Sequence, residues 1–303
     1  MNAMLRKYRI VITTSLLLTA QLATAAESSS DQGLTGFFSN FFSPRTTASD
    51  AQPADKANAK KETFTNILGF EIEKPGWYAI ESQPYSKIVI DGQTHVIINP
   101  ASKNKISVWN HNAEVLFSDD TLVIHTPYQP DDAEHYNNIV LRDINDVKMI
   151  RVRDDASIIN SKSKRKNKTK TGPFTLIIED HGRVALEGMF DIKRLVHSSD
   201  EKSSLLWVDS PAIEVIANNG SVKLAGVAKS AKIWGYGHAK IHADHLRSDN
   251  TWVTATDHSF IESNPIGNFY AHAAKHSTIW HRGQYKTVTR ITEDHGNFLY
   301  TNS

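Results

Sequence analysis

The sequence predicts an all-β protein, a single-domain parallel β-helix (β-solenoid) with coils of about 19 residues. Three observations predict it. Short β-branched runs follow one another from residue 63 onward, with no stretch of sustained helical periodicity. Polar, small and apolar residues then recur there in fixed columns at a constant spacing. The chain also contains no cysteine, so its stability must come from packing and backbone hydrogen bonds alone.

The elements follow in order. Arg6, Lys7 and Arg9 form a basic region ahead of an apolar stretch from Ile10 to Ala20. Ala23 and Ala25 stand at the −3 and −1 places of an A-x-A cleavage site. Residues 1–25 therefore read as a cleaved secretory signal peptide, too short and wrongly flanked for a membrane span. The implied destination is the periplasm, the cell surface or the medium. No cysteine follows the cleavage site, which excludes a lipoprotein anchor, and no transmembrane segment is expected in the mature chain. A formal net charge of +1 singles out no polyanionic partner.

Residues 26–62 read as a flexible tether, rich in Ser, Ala, Asp and Lys and poor in aliphatic side chains. One island interrupts it. Leu34, Phe37, Phe38, Phe41 and Phe42 fall on a single helical face, and Pro44 stops the run. Such an element either docks on a membrane or partner, or caps the open end of the domain behind it. The stretch from Phe70 to Tyr85 is the other candidate for covering that end, because an open solenoid end is an unpaired sheet edge.

Residues 63–303 form the solenoid domain. Its strand-like runs include Lys87-Ile88-Val89-Ile90, His95-Val96-Ile97-Ile98, Thr121-Leu122-Val123-Ile124 and Phe174-Thr175-Leu176-Ile177-Ile178, each bounded by turn residues. Six segments align without gaps. A polar column holds His181, Asn219, His238, His258, His276 and His295. Next comes a small column of Gly182, Gly220, Ala239, Ser259, Ser277 and Gly296. Two places later stand Val184, Val222, Ile241, Ile261, Ile279 and Phe298. Steps of 38, 19, 20, 18 and 19 residues separate the polar positions, so the first step reads as two units. One coil cannot bury an apolar face alone, whereas stacked coils bring like residues into register ~4.8 Å apart. The small column marks a tight bend that leaves room for the adjoining coil.

With these columns placed, the chain resembles the head GIN domain family of autotransporter-adhesin heads. The likeness rests on Tyr85-Ser86-Lys87-Ile88-Val89-Ile90-Asp91-Gly92, on Asp119-Asp120-Thr121-Leu122-Val123-Ile124 and on Ser277-Thr278-Ile279-Trp280-His281-Arg282-Gly283. It spans roughly residues 84 to 300. The resemblance implies a right-handed parallel β-helix in an exported protein, and it brings no catalytic residues. One departure is the turn: relatives favour Gly-Ser-Gly runs, whereas here only Gly235-Tyr236-Gly237 keeps its glycines and histidine fills the column.

Several constellations are chemically capable. His238, His258, His276 and His295 would lie on consecutive coils and could share Zn²⁺ or Cu²⁺, with Asp257, Asp294 or His242 as a third ligand. A straight column offers one ion only two ligands, so a structural turn ladder competes with the metal reading. A pH-responsive role is the third possibility, since two imidazolium charges ~4.8 Å apart repel by about 1 kcal/mol in water and about 3.5 kcal/mol at an effective dielectric of 20. Lys162, Lys164, Arg165, Lys166, Lys168 and Lys170 form a basic run that either binds polyanions such as lipopolysaccharide phosphates or is a solvated insertion. No aromatic residue interleaves that run, which disfavours nucleic acid. Trp234, Trp252 and Trp280 either meet sugar rings or pack on the solenoid.

No G-x-S-x-G elbow, H-E-x-x-H, P-loop or Rossmann fingerprint occurs, and the acidic pairs Asp119-Asp120, Asp131-Asp132 and Asp154-Asp155 sit between strands as turn residues. The sequence therefore points to a non-enzyme without a cofactor: an adhesin-like or cell-envelope binding and scaffold protein. Its expected partners are a cell-surface glycan, lipopolysaccharide or an envelope protein. A carbohydrate-active enzyme on the same scaffold and a histidine-ladder metal protein are the alternatives.

Overall fold

The computed structural model describes residues 52–53, 60–65, 71–109, 113–127, 137–160, 171–199 and 203–300, with side chains from Trp77 onward, Asn137 excepted. Every described element belongs to one compact unit within residues 50–303. The signal peptide, the Phe-rich element Leu34, Phe37, Phe38, Phe41 and Phe42, and the basic run 162–170 lie outside the described residues.

The described elements are all strands. β1 (Gln52–Pro53), β2 (Lys60–Thr65) and β3 (Glu71–Ile80) come first, so strand pairing reaches back ahead of residue 63. β4 (Lys87–Gly92) and β5 (Thr94–Ile98) make the first coil, and β6 (Ile106–Trp109) and β7 (Glu114–Ser118) leave it. β8 (Thr121–Thr126), β9 (Asn137–Leu141), β10 (Met149–Val152), β11 (Ser157–Asn160), β12 (Phe174–Asp180), β13 (Arg183–Phe190) and β14 (Ile192–Ser199) continue the coils. Four long strands follow: β15 (Ser203–Asn218), β16 (Ser221–Tyr236), β17 (Lys240–Ala255) and β18 (Phe260–Ala273). β19 (Thr278–His281), β20 (Thr287–Thr292) and β21 (Asn297–Tyr300) end the series.

The coils stack with parallel strands into two faces, as a β-solenoid requires. One face joins β9, β5, β11 and β13 to the leading halves of β15 through β18, then β19 and β21. The other joins β8, β4, β10, β12 and β14 to the trailing halves of the same long strands, then β20. Each long strand serves both faces because its inward parity switches at a corner. In β15 the buried positions are Ser204, Leu206, Val208 and Ser210, then Ile213, Val215 and Ala217. One residue is inserted without a change of side, so the chain bends and keeps its apolar side chains inside.

The apolar column is a continuous ladder. Val222 pairs with Ile241, Ile241 with Ile261, Ile261 with Ile279 and Ile279 with Phe298, and all but Phe298 are fully buried. Upstream the same ladder passes through Ile139, Val96, Ile158 and Val184. The long step between His181 and Asn219 does contain two units. Its hidden rung is Ser204, which pairs with Val222, and a buried serine in an apolar column conceals the repeat.

The turns follow one plan. The small-column amide donates to the carbonyl three residues earlier: Gly182 to Glu179, Ala239 to Tyr236, Ser259 to Thr256, Ser277 to Ala274 and Gly296 to Glu293. The residue before the column histidine is left-handed at Asp180, Gly237, Asp257, Lys275 and Asp294. The next position is small because a neighbouring coil crosses it. A Cβ on Gly182 would stand 2.6 Å from the Val152 carbonyl oxygen. Where serine occupies this place its hydroxyl donates inward, Ser259 to Gly235 O at 3.0 Å and Ser277 to Ala255 O at 2.8 Å.

The two ends of the stack differ. At one end β6 runs antiparallel on β9 and β7 antiparallel on β8, and β3, β2 and β1 extend this cap. The stretch from Phe70 to Tyr85 thus contributes β3 to the covering, as expected. At the other end β20 pairs with β18 and β21 with β19, with no further strand among the described residues. There Arg290 stands in register with the buried Ala271, placing a charge in an otherwise apolar column. Its guanidinium donates to the Tyr285 hydroxyl at 2.5 Å and lies 5.9 Å from that ring's centroid.

Candidate interaction surface

The fold brings the histidine column together. His238 stacks on His258 with ring centroids 5.3 Å apart, His258 on His276 at 5.7 Å and His276 on His295 at 4.9 Å, at interplanar angles of 26°, 12° and 15°. All four rings are exposed. Asn219 continues the ladder by accepting a hydrogen bond from the His238 backbone at 3.0 Å. The arrangement stacks ring faces, and imidazole lone pairs lie in the ring planes, so neighbouring nitrogens point side by side. Two nitrogens on one Zn²⁺ at ~2.0–2.1 Å would have to converge. Among the described residues no group of three or more His, Asp or Glu side chains is placed to hold a metal ion. His242 pairs instead with Glu262 at 2.6 Å, and Asp257 lies 3.9 Å from Lys275.

Other polar groups are also spent on structure. The Asp91 carboxylate, nearly buried, takes Nδ1 of His125 at 2.5 Å and the Arg153 guanidinium at 2.7 Å. Asp119 and Asp154 have φ values of 50° and 56°, so the acidic pairs Asp119-Asp120 and Asp154-Asp155 are turn residues, while Asp131-Asp132 lies outside the described residues. Two histidines are buried without a hydrogen-bond partner for either ring nitrogen among the described residues. His197 sits between Ile178 and Ala217 in an inward column. Burial pushes its pKa down to about 4, and the nearby backbone of Asn219 and of His197 itself acts the other way without reaching hydrogen-bonding geometry. His281 lies against Phe269, Tyr285 and Tyr300, where burial and then the Arg290 charge bring it down to about 4.

The three expected tryptophans all take outward positions on the solenoid wall. Trp234 and Trp280 are half-buried against neighbouring side chains, and Trp252 is exposed. A fourth tryptophan is the more informative. On the outer side of the first face, Met189, Leu205, Trp207 and Val227 are 46%, 39%, 51% and 46% exposed. They occupy β13, β15 and β16, which are successive strands. Trp207 pairs with Ala225, and Leu205 with Lys223. Gly226 lets the backbone close up here, since a Cβ on it would stand 2.0 Å from the Val208 carbonyl oxygen. Outward positions on a solvated face are ordinarily polar, so a group of large apolar side chains there departs from the pattern of the remaining wall.

Charged residues of both signs accompany this patch. Glu187 is exposed on β13, and Asp209 is exposed on β15 in register with Val227. Lys223 is exposed on β16 in register with Leu205, and Arg247 is exposed on β17 in register with Val227. Next to Arg247, the His245 ring lies 3.0 Å from the Asp244 carboxylate, which also meets the Arg282 guanidinium at 3.2 Å.

No family model matches the chain, and no curated protein matches its sequence. Solved structures do match. A "putative adhesin" from Parabacteroides distasonis superposes with a TM-score of 0.62 at 14% identity, over 74% of this chain and 96% of that one. A "putative adhesin" from Parabacteroides merdae gives 0.58 at 12% identity, over 82% and 98%. A "putative lipid binding protein" from Parabacteroides distasonis gives 0.56 at 13% identity, over 75% and 96%. At these identities the likeness is one of fold.

Proposed function

We propose that this chain is an exported, non-catalytic, adhesin-like binding module of the cell envelope, of the GIN head-domain type. One observation carries the reading: the exposed cluster of Met189, Leu205, Trp207 and Val227 on a regular strand face. Leaving a tryptophan half in water forfeits burial free energy that a partner surface recovers, and Trp and Met are enriched at such contacts. The adhesin-named fold neighbours support the same class. Against an enzyme stands the use of the imidazole and carboxylate groups in stacks, turns and ion pairs, where general acid–base work needs them converging on a substrate.

Retention of the purified protein on immobilised cell-envelope preparations tests this. A Leu205→Ser, Trp207→Ser double variant is expected to lose about tenfold or more in retention, and about 2–4 kcal/mol is typical for such anchors. Retention equal to wild type, or shortening of envelope glycans by the purified protein, would overturn the reading.

A further inference from the structure

We propose that the second face of the solenoid carries a binding site for an acidic saccharide, laid along the stack. The site is separate from the Trp207 patch on the first face and does not depend on it. One register column is its spine. Arg194 stands opposite Glu214, Glu214 opposite Lys232, Lys232 opposite Trp252 and Trp252 opposite Tyr270. These are outward positions on β14 through β18, so the column runs ~19 Å along the stack at ~4.8 Å per rung. Its first part is cationic and concave. A groove of about 390 Å³ opens over Ala212 and the buried Ile213, lined by Lys193, Arg194, Glu214 and Lys232. A β-bulge supplies two of these cations. Phe174 pairs with Ile192 and Thr175 with Arg194, so Lys193 is an extra residue and two consecutive side chains face solvent. Glu214 engages Arg194 at 3.2 Å, whereas Lys193 and Lys232 enter no ion pair among the described residues. The groove therefore holds an excess of positive charge, and its walls focus that field on an incoming anionic group.

The column continues as an aromatic platform. Trp252 is 40% exposed, and its indole offers the flat apolar surface that the C–H face of a pyranose covers. Beside it, two residues back along each strand and so on the same side, runs a polar column of Ser230, Asn250, Asn268 and Thr287. Asn268 donates to Asn250 Oδ1 at 2.8 Å, and Thr287 donates to Asn268 Oδ1 at 2.8 Å. These bonds fix Asn250 with its own NH2 unengaged among the described residues, a donor for a sugar hydroxyl beside Trp252. The combination selects the ligand class. A neutral sugar would leave Lys193 and Lys232 unused, and a bare polyanion would leave the indole in water. A saccharide bearing a carboxylate, sulfate or phosphate occupies both parts of the column.

The test is isothermal titration calorimetry with tetragalacturonate, a sulfated chondroitin tetrasaccharide, neutral cellotetraose and sugar-free tripolyphosphate. At least one acidic tetrasaccharide is expected to bind about tenfold or more tighter than cellotetraose and tripolyphosphate, and its identity tells carboxylate from sulfate. Lys193→Gln with Lys232→Gln is expected to weaken that binding by about tenfold and to flatten its salt dependence. Trp252→Ala is expected to weaken it by about tenfold with the salt dependence kept. Leu205→Ser with Trp207→Ser is expected to bind the saccharide as wild type does, and far-UV circular dichroism checks that each variant is folded. Binding of neither acidic tetrasaccharide, equal binding of tripolyphosphate, or folded lysine and Trp252 variants that bind like wild type would each overturn the inference. Should the protein bind no saccharide yet be retained on envelope preparations through Trp207, the inference falls and the proposed function stands. Saccharide binding without that retention reverses the outcome.

Discussion

Replacing His197 with leucine isolates the cost of an imidazole held inside an apolar column. Its ring lies between Ile178 and Ala217, both nitrogens lack hydrogen-bond partners among the described residues, and its pKa is about 4 against an ordinary 6.5. Above pH 6.5 the side chain is neutral in both folded and unfolded chains, so the shift has no effect on stability. Below 6.5 the unfolded chain takes up a proton that the folded chain refuses, so stability falls with pH until about 4. A displacement of about 2.5 pKa units corresponds to about 3.4 kcal/mol when complete, and about 2 kcal/mol of it is lost by pH 5. For a domain of this size that is about 4–8 °C in Tm. Thermal unfolding followed by far-UV circular dichroism at pH 7.5 and pH 5 is the assay. His197→Leu is expected to be at least as stable as wild type at pH 7.5 and to fall less by about that margin on acidification. Parallel losses in the two proteins would refute the reasoning, because carboxylates and the other histidines are common to both.

Two further outcomes follow from the packing. Ile261→Ala removes a fully buried rung between Ile241 and Ile279, and should cost about 2–5 kcal/mol in urea unfolding. Asp91→Ala strands the Arg153 and His125 groups that its carboxylate joins, and a loss of about 1.5–3 kcal/mol is expected in urea unfolding.

The repeat was legible because parallel stacking makes equivalent residues meet the same surroundings. Ile241, Ile261 and Ile279 must each fill the same interior slot, and the residue after each column histidine must clear the same carbonyl. Where one rung deviates, as at Ser204, the periodicity fades although the coil persists. The cap was not legible in detail. β6 and β7 alternate like any other strand, and only distant partners decide that they run against β9 and β8. The Trp207 patch was illegible for a related reason. In Leu205-Leu206-Trp207-Val208 both faces are apolar, which reads as a strand buried on two sides. His197 was hidden by the corners, since inward parity switches at each bend and a local alternation cannot say which side a histidine takes.

The unequal ends of the stack carry a consequence for how such a chain can lengthen. Beyond β8 and β9 the strands run in the opposite sense, so a parallel coil cannot be appended there without dismantling the cap. Within the regular C-terminal coils, duplicating one unit in frame offers each new residue a slot already shaped for it. The molecule would grow by ~4.8 Å per unit. Arg290, exposed at the final rung in register with the buried Ala271, then travels outward with the tip and sets a charge on the last edge, a feature that disfavours edge-to-edge pairing.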